Sequence, residues 1–209
     1  MDKFEFKKSL GQNFMKDENV IDKIVDSAKL DKDTLMIEIG PGAGSLSKKT
    51  VPLAGFSILY EIDTRLKDIL ESNLSEYDNK KIIFGDFLVQ DVASDIALYN
   101  YKKVYVVANL PYYITTPIIT KLMNDILPDK IIILIQDEVA NRLSANVGTK
   151  DYGMISVLLG SRYDIKKLFK VSRNCFVPVP NVDSAVISLE KHSRYDIKDI
   201  NKFEKLIKD

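Results

Sequence analysis

Short apolar runs alternate with helical patterns along most of this 209-residue chain, and this alternation restricts the fold more than any other feature. Five runs are typical of buried strands: 35–39, 56–62, 81–84, 103–107 and 130–135. Around and between them, apolar side chains recur every three or four residues, as in 64–74 and in 18–28, where Asp17 is a candidate N-cap. Thr116 followed by Pro117 is typical of a helix cap and a first-turn proline. We therefore predict a doubly wound α/β fold of the Rossmann-like type with a mostly parallel sheet.

The pattern changes after about residue 150. Residues 155–165 and 184–191 are predicted strands that would give the sheet an antiparallel edge and seven strands in all. The remaining C-terminal residues are charged and helix-like. The chain is thus predicted to divide into a main domain, residues 1–190, and a short segment, residues 191–209, that leads out of it.

Composition and charge exclude several classes of protein. No apolar run approaches the roughly 20 residues that span a bilayer, and the charged N-terminus lacks the apolar core of a secretory signal. The single cysteine, Cys175, excludes an internal disulfide, and with the single histidine, His192, it supplies too few ligands for a zinc site. The formal net charge is zero, so any contact with nucleic acid must be local. We expect a monomeric protein of the reducing cytoplasm, without a membrane or metal partner.

A glycine-rich turn follows the first predicted strand and opens a helix. Its glycines are Gly40, Gly42 and Gly44. They permit a tight turn and a close approach of a ligand to the backbone. Glu61 ends the second strand, where a carboxylate can accept hydrogen bonds from both hydroxyls of a ribose, and Asp86 ends the third, where its carboxylate and the backbone of Phe87 can bind an adenine edge. Open α/β sheets bind their ligands at these carboxyl ends of the strands.

The spacing of the glycines bears on the choice of cofactor. It is G-x-G-x-G, whereas dinucleotide-binding loops have G-x-G-x-x-G. A glycine turn alone is also compatible with a purely structural role, but acids at the next two strand ends favour a nucleoside ligand. Glu38 and the third glycine suit an amino-acid tail better than a pyrophosphate. S-adenosylmethionine is therefore favoured over NAD.

The segment VVANLPYYITTP, residues 106–117, ends an apolar run with an amide, a rigid turn and two tyrosines. Seven blocks of the sequence, one of which overlaps this segment, resemble the ribosomal-RNA adenine dimethyltransferases. The blocks are LGQNFM (10–15), EIGPGAGSLS (38–47), YEID (60–63), GDFL (85–88), NLPYYITTPII (109–119), QDEVANRLSANVGTKDYGMISVL (136–158) and FVPVPNVDSAV (176–186). The resemblance runs from about residue 7 to residue 190 and implies the fold of S-adenosylmethionine-dependent methyltransferases. The macrolide-resistance methyltransferases of large-subunit rRNA are similar, but they usually carry isoleucine where Leu110 stands.

The resemblance also implies the residues around the cofactor. They are Gln12, Asn13, Met15, Gly40, Gly42, Glu61, Ile62, Asp86, Phe87 and Asn109. Asn13 and Met15 would border the methionine part, and the family more often has leucine at the position of Met15. Glu61 would hold the ribose, and Asp86 would face the adenine. Gln12 is either a further ligand or a cap of the N-terminal turn.

Asn109 would bridge the cofactor and a target adenine. The exocyclic amine of adenine is a poor nucleophile because its lone pair is delocalised into the ring. The side-chain oxygen of Asn109 and the carbonyl of Leu110 can accept its two N–H bonds, and Pro111 fixes the turn that aims this carbonyl. Tyr112 and Phe176 would stack on the two faces of the base, which must be unstacked or flipped out.

A basic run at residues 162–173 has two interpretations. Its candidate RNA contacts are Lys166, Lys167, Lys170 and Arg173. The run is either a solvated face of the protein or a rim that contacts phosphates, with Lys7 and Lys8 of the N-terminal arm as further candidates.

The resemblance implies an enzyme that dimethylates the amines of two adjacent adenosines near the 3′ end of small-subunit rRNA, in ribosome biogenesis. Its partner would be this rRNA or the pre-small ribosomal subunit. Two alternatives stay open: the large-subunit, macrolide-resistance activity, and a ribosome-assembly RNA-binding factor with secondary catalysis. Members of the family usually continue into a small helical C-terminal domain, so we expect residues 191–209 to begin such a domain in a truncated chain.

Overall fold

The computed structural model describes residues 13–198 and 200–208 of the protein. The strands are β1 (Phe14–Met15), β2 (Thr34–Ile39), β3 (Phe56–Glu61), β4 (Lys80–Phe84), β5 (Lys103–Asn109), β6 (Lys130–Gln136), β7 (Tyr163–Val171), β8 (Phe176–Val177) and β9 (Ser184–Lys191). The helices are α1 (Glu18–Ala28), α2 (Ser47–Thr50), α3 (Lys67–Asn73), α4 (Val92–Ala97), α5 (Thr115–Asp125), α6 (Asp137–Leu143), α7 (Met154–Gly160) and α8 (Ile200–Lys208). Three predicted site residues, Lys7, Lys8 and Gln12, lie outside the described residues.

Within the described residues, seven strands form the main sheet in the order β4-β3-β2-β5-β6-β9-β7. The five strands from β4 to β6 are parallel, and β9 runs antiparallel to both of its neighbours. The chain builds β2, β3 and β4 outward on one side and then returns to place β5 on the other side of β2. This reversal of strand order opens a crevice at the carboxyl ends of β2 and β5. The predicted parallel core and antiparallel edge are confirmed.

The centre of the sheet is covered on both faces, which explains why β2, β5 and β6 are mostly apolar runs. Every residue of β2 is buried. Leu35 and Ile37 belong to one apolar cluster and Met36 to the other, because successive side chains of a strand point to opposite faces.

Helix α1 begins where its cap was predicted. The carboxylate of Asp17 accepts hydrogen bonds from the backbone N–H groups of Asn19 and Val20, at 3.0 and 3.3 Å. The helix ends at Lys29, which has a left-handed backbone with a φ of 51°. Its apolar side chains Ile21 and Ile24 are buried, as their spacing indicated.

Two predictions of secondary structure were wrong in detail. Residues 155–165 are not one strand: α7 occupies the first part and β7 begins at Tyr163. A short apolar run does not distinguish a buried helix from a strand. Here Ser156 favours the helix, because its hydroxyl accepts a hydrogen bond from the Gly153 N–H at 3.2 Å and so caps the start of α7. Thr116 is not a cap but lies inside α5, which continues from the preceding turn, while Pro117 does lie in the first helical turn.

A two-stranded ribbon carries the first described residues to the carboxyl edge of the main sheet. In it β1 pairs antiparallel with β8, with Met15 opposite Phe176, and the Lys16 N–H donates to the Cys175 carbonyl at 2.9 Å. Among the described helices, none has the length and apolar character required to cross a membrane.

Candidate active site

A pocket lies at the carboxyl ends of β2, β3 and β5, under the residues of β1. It brings together most of the site residues predicted from the sequence. Those that line it are Asn13, Met15, Gly40, Gly42, Glu61, Ile62, Asn109, Leu110, Pro111 and Tyr112. These residues come from four separate parts of the chain, so their convergence is a result of the strand order.

The glycine loop after β2 requires glycine at Gly42. This residue has a φ of 62°, in the left-handed region, and a Cβ atom there would lie 2.7 Å from the Phe14 Cε1 atom. The Gly42 N–H donates to a carboxylate oxygen of Glu61 at 2.8 Å. The loop is therefore held between the ring of Phe14 and the end of β3.

Glu61 is a buried acid with acceptor capacity to spare. Its two oxygens accept the backbone N–H groups of Gly42 and Asp63, both at 2.8 Å. A carboxylate offers about four acceptor positions, so the side chain can still accept bonds from a ligand in the pocket it lines. Burial raises its pKa above the ordinary value, against the effect of the backbone N–H groups of Asp63, Gly42 and Ile62.

Glu38 is a second buried acid on the pocket wall. It is 2% exposed, and it accepts the Ser47 hydroxyl at 2.7 Å. Burial raises the pKa of Glu38 to about 8, the hydrogen bond from Ser47 lowers it, and the negative charge of Glu61 raises it further. At neutral pH this side chain is mostly the uncharged acid.

Asn109 is the last residue of β5, and its amide is oriented by the chain above it. The side-chain N–H₂ group donates to the backbone carbonyl of Asn13 at 3.1 Å. Because the nitrogen is used in this way, and no group among the described residues donates to the side-chain oxygen, that oxygen is an available acceptor beside the pocket. Leu110 continues the ladder, its N–H donating to the Leu134 carbonyl at 3.1 Å.

The turn after β5 places Tyr112 on the pocket wall. Pro111 has a φ of −59°, and its carbonyl accepts the Thr115 hydroxyl at 3.2 Å. The Tyr112 hydroxyl lies 2.6 Å from the hydroxyl of Ser184. The ring is thus fixed at its backbone and at its far end.

Phe176 departs from the prediction that it offers an open face to a base. Its side chain is 0% exposed and lies in an apolar cluster with Met15 packed against that cluster. The pairing of β1 with β8 covers it, so it does not line the pocket in this structure.

Asp86 and Phe87 do not line the pocket. A carboxylate oxygen of Asp86 accepts the Leu88 N–H at 2.9 Å and caps a short turn after β4. The ring of Phe87 is buried against Tyr60 in an edge-to-face contact. Their proposed contact with adenine stays a prediction.

The four candidate RNA contacts of the basic run differ in how exposed they are and in whether they are bonded within the protein. Lys166 is exposed on the edge strand β7 and forms no ion pair with the described acids. Lys167 bonds to Asp137 and, at 2.8 Å, to Asn141, so it is engaged within the protein, and its role as an RNA contact stays a prediction. Lys170 also pairs with Asp137, at 3.2 Å, yet 70% of its side chain is exposed.

Arg173 is exposed and donates to the Asn181 carbonyl at 3.2 Å.

The sequence analysis did not predict that Phe14 and Ser184 contribute to the site. Phe14 lies in the block LGQNFM and Ser184 in FVPVPNVDSAV, so both belong to segments that the sequence analysis had singled out. The sequence did not indicate the contact that each makes with a distant segment, Phe14 with Gly42 and Ser184 with Tyr112.

The strand order, the glycine loop after β2 and the acids at successive strand ends define the class of this protein: it has the Rossmann-like fold of S-adenosylmethionine-dependent methyltransferases. Within that class, the sequence profile of the family described as ribosomal RNA adenine dimethylase matches residues 3–209. The chain belongs to this family.

Three individual comparisons agree. A protein of Staphylococcus carnosus (strain TM300), named ribosomal RNA small subunit methyltransferase A, is 46% identical over 191 residues, which are 90% of this chain and 64% of that protein. The crystal structure of a dimethyladenosine transferase from Plasmodium falciparum has a TM-score of 0.82 and 27% identity, covering 93% of this chain and 69% of that one. The 23S rRNA methyltransferase ErmE has a TM-score of 0.79 and 26% identity, covering 94% and 78%. The chain thus spans somewhat less than two thirds of the length of the curated relative.

Proposed function

We propose that this protein transfers methyl groups from S-adenosylmethionine to the N6 amine of adenine in small-subunit rRNA. The observation that carries the proposal is the position of Asn109, which lines the same pocket as Glu61 and the glycine loop and whose side-chain oxygen accepts no bond from the described residues. A relative with 46% identity bears the small-subunit name, whereas the 23S enzyme ErmE has 26% identity. The comparison therefore favours the small-subunit substrate over the large-subunit alternative.

The residues on the pocket wall fit S-adenosylmethionine. Glu61 keeps acceptor positions for the hydroxyls of a ribose. The backbone at Gly40 and Gly42 lies open to the pocket without a side chain of its own, and Asn13 and Met15 close it from above. When bound, this cofactor supplies an electrophilic methyl group on a sulfonium.

The residues of the β5 turn would activate and align the base. The Asn109 side-chain oxygen and the Leu110 carbonyl accept the two N–H bonds of the adenine amine, which concentrates its lone pair toward the methyl group. Alignment of this kind can provide a large share of the rate. A strong general base is not required, because the methylated amine is acidic and loses its proton after transfer.

Tyr112 supplies a stacking surface for the base, worth roughly 1–3 kcal/mol. Its hydroxyl bond to Ser184 keeps the ring on the pocket wall. Phe176 would supply the second face only if β1 moves away from β8, because this pairing buries it. A base that reaches either ring must leave its helical stack.

Contact with the RNA would be local and electrostatic. Arg173 is exposed just after the carboxyl end of β7, Lys166 is exposed near the middle of that strand, and Lys170 is largely exposed. Cations at these positions can bind phosphates, with an affinity that falls as salt rises. We place the activity on small-subunit rRNA in the cytoplasm, with the protein acting as a monomer.

Replacement of Asn109 by alanine tests the proposal. The variant should lose methyl transfer to small ribosomal subunits that lack the modification, because the amine is no longer oriented, while titration calorimetry should still detect binding of S-adenosylmethionine. Asn124→Ala, which removes an exposed amide on α5, is the matched control and should behave as the unaltered protein. Near-normal transfer by Asn109→Ala would contradict the proposed role.

A further inference from the structure

The ring of Tyr112 is anchored by a serine from a strand that is distant in sequence. The Tyr112 hydroxyl lies 2.6 Å from the Ser184 hydroxyl, a short and well-formed hydrogen bond. Ser184 is 0% exposed, so solvent does not compete for this bond from the serine side. Burial also raises the pKa of Tyr112, which keeps its hydroxyl protonated.

Ser184 is itself held in a fixed position. It is the first residue of β9, and it pairs with Gln136 of β6 on one side and with Val171 of β7 on the other. Strand pairing on both sides leaves its backbone little freedom. The hydroxyl of Ser184 therefore provides a fixed point of the sheet to which the β5 turn is attached.

The other end of the Tyr112 ring is fixed by its turn. Pro111 restricts the backbone before it, and the Thr115 hydroxyl donates to the carbonyls of Pro111 and Tyr112, at 3.2 and 3.4 Å. Between these fixed points only the two side-chain torsions of the tyrosine remain. The bond to Ser184 fixes χ1, the torsion that sets the direction in which the ring projects from the turn.

We propose that Ser184 is a positioning residue for methyl transfer: its hydroxyl fixes the direction, and so the position, of the Tyr112 ring on which the target adenine stacks. This inference rests on the proposed function. The position of the ring determines where the adenine amine lies relative to the Asn109 oxygen. Because a displacement of about 1 Å can reduce a rate about 100-fold, loss of the anchor should lower kcat more than it weakens binding of the cofactor.

A set of four variants separates positioning from a general effect on stability. Ser184→Ala and Tyr112→Phe each remove one partner of the bond, the double variant removes both, and Ser188→Ala is the matched control. Ser188 lies four residues further along β9 and on the same face, and it is 5% exposed, so it tests the loss of a buried serine hydroxyl without the contact to Tyr112.

We expect Ser184→Ala and Tyr112→Phe each to lower kcat about tenfold, as for the loss of one hydrogen bond. The dissociation constant for S-adenosylmethionine should not change. The double variant should be no slower than either single variant, because Ser184 acts only through the tyrosine hydroxyl. Ser188→Ala should keep the kcat of the unaltered protein.

Equal kcat values for Ser184→Ala and Ser188→Ala would overturn the inference, as would multiplicative losses in the double variant. If Ser184→Ala does not fold, Tyr112→Phe still decides, because it keeps both the ring and the serine: an unchanged kcat refutes the anchor. Absence of transfer by the unaltered protein would instead refute the proposed function, and the inference with it.

Discussion

Glu38 should make the protein lose stability as pH rises from 5 to 8, and replacement by glutamine should remove that loss. In the folded protein, burial raises the pKa of Glu38 from the ordinary 4.5 to about 8. In the unfolded chain the carboxyl group ionises near 4.5. The folded state therefore keeps a proton that the unfolded state releases, and the contribution of this group to stability is complete below pH 4.5 and lost by pH 8.

The size of the effect follows from the two pKa values. A tenfold change in proton affinity corresponds to 1.36 kcal/mol, so a rise from 4.5 to about 8 amounts to about 5 kcal/mol over the whole interval. Between pH 5 and pH 8 the expected loss is about 3 to 4 kcal/mol. This is a large fraction of the roughly 5–15 kcal/mol of a typical domain.

Urea unfolding followed by circular dichroism, at pH 5 and pH 8, measures this difference directly. Glu38→Gln keeps an acceptor for the Ser47 hydroxyl and has no proton to lose. The raised pKa of Glu61 acts in both proteins and largely cancels, and the lowered pKa of Asp31 acts below pH 4. If the free energy of unfolding changes equally with pH in both proteins, the reasoning about Glu38 is refuted.

Two further predictions concern the loop and the rim. Gly42→Ala should lower the free energy of unfolding by about 1–2 kcal/mol, because the left-handed backbone of residue 42 is strained in any residue with a Cβ atom. It should also weaken cofactor binding, because the new methyl group meets the Phe14 ring. Gly160→Ala is the control, since residue 160 has open space around it, and equal effects of the two substitutions would contradict this prediction. Lys166→Gln should reduce the salt dependence of RNA binding by about one phosphate contact. Lys102→Gln should not, because Lys102 is 76% exposed but precedes the amino end of β5, at the end of the sheet opposite the pocket. If Lys166→Gln leaves the dependence of RNA affinity on salt concentration unchanged, the basic run is a solvated face of the protein and not an RNA contact.

The parallel strands were predictable because each is a short run that is mostly apolar, and the central ones, β2 and β6, are buried on both faces. The five apolar runs match β2 to β6 to within two residues at either end. α1 was predictable for a different reason, since the Asp17 cap and the apolar spacing are both local signals. α7 was not, because its seven residues are a short apolar run, which does not distinguish a helix from a strand.

The candidate site was predictable where a residue ends a strand, since the fold brings the carboxyl ends of parallel strands together. Glu61 and Asn109 are of this kind. Contacts that depend on register between distant segments were not predictable: the Tyr112 bond to Ser184, the burial of Phe176 under β1 and the pairing of Lys167 with an acid.

The most direct test of the central claim is transfer of labelled methyl groups from S-adenosylmethionine to unmodified small and large ribosomal subunits. Digestion of the RNA and identification of the labelled nucleoside complete the measurement. The account predicts N6,N6-dimethyladenosine in small-subunit rRNA. Label in large-subunit rRNA, or no label in either subunit under conditions where the cofactor binds, would contradict it.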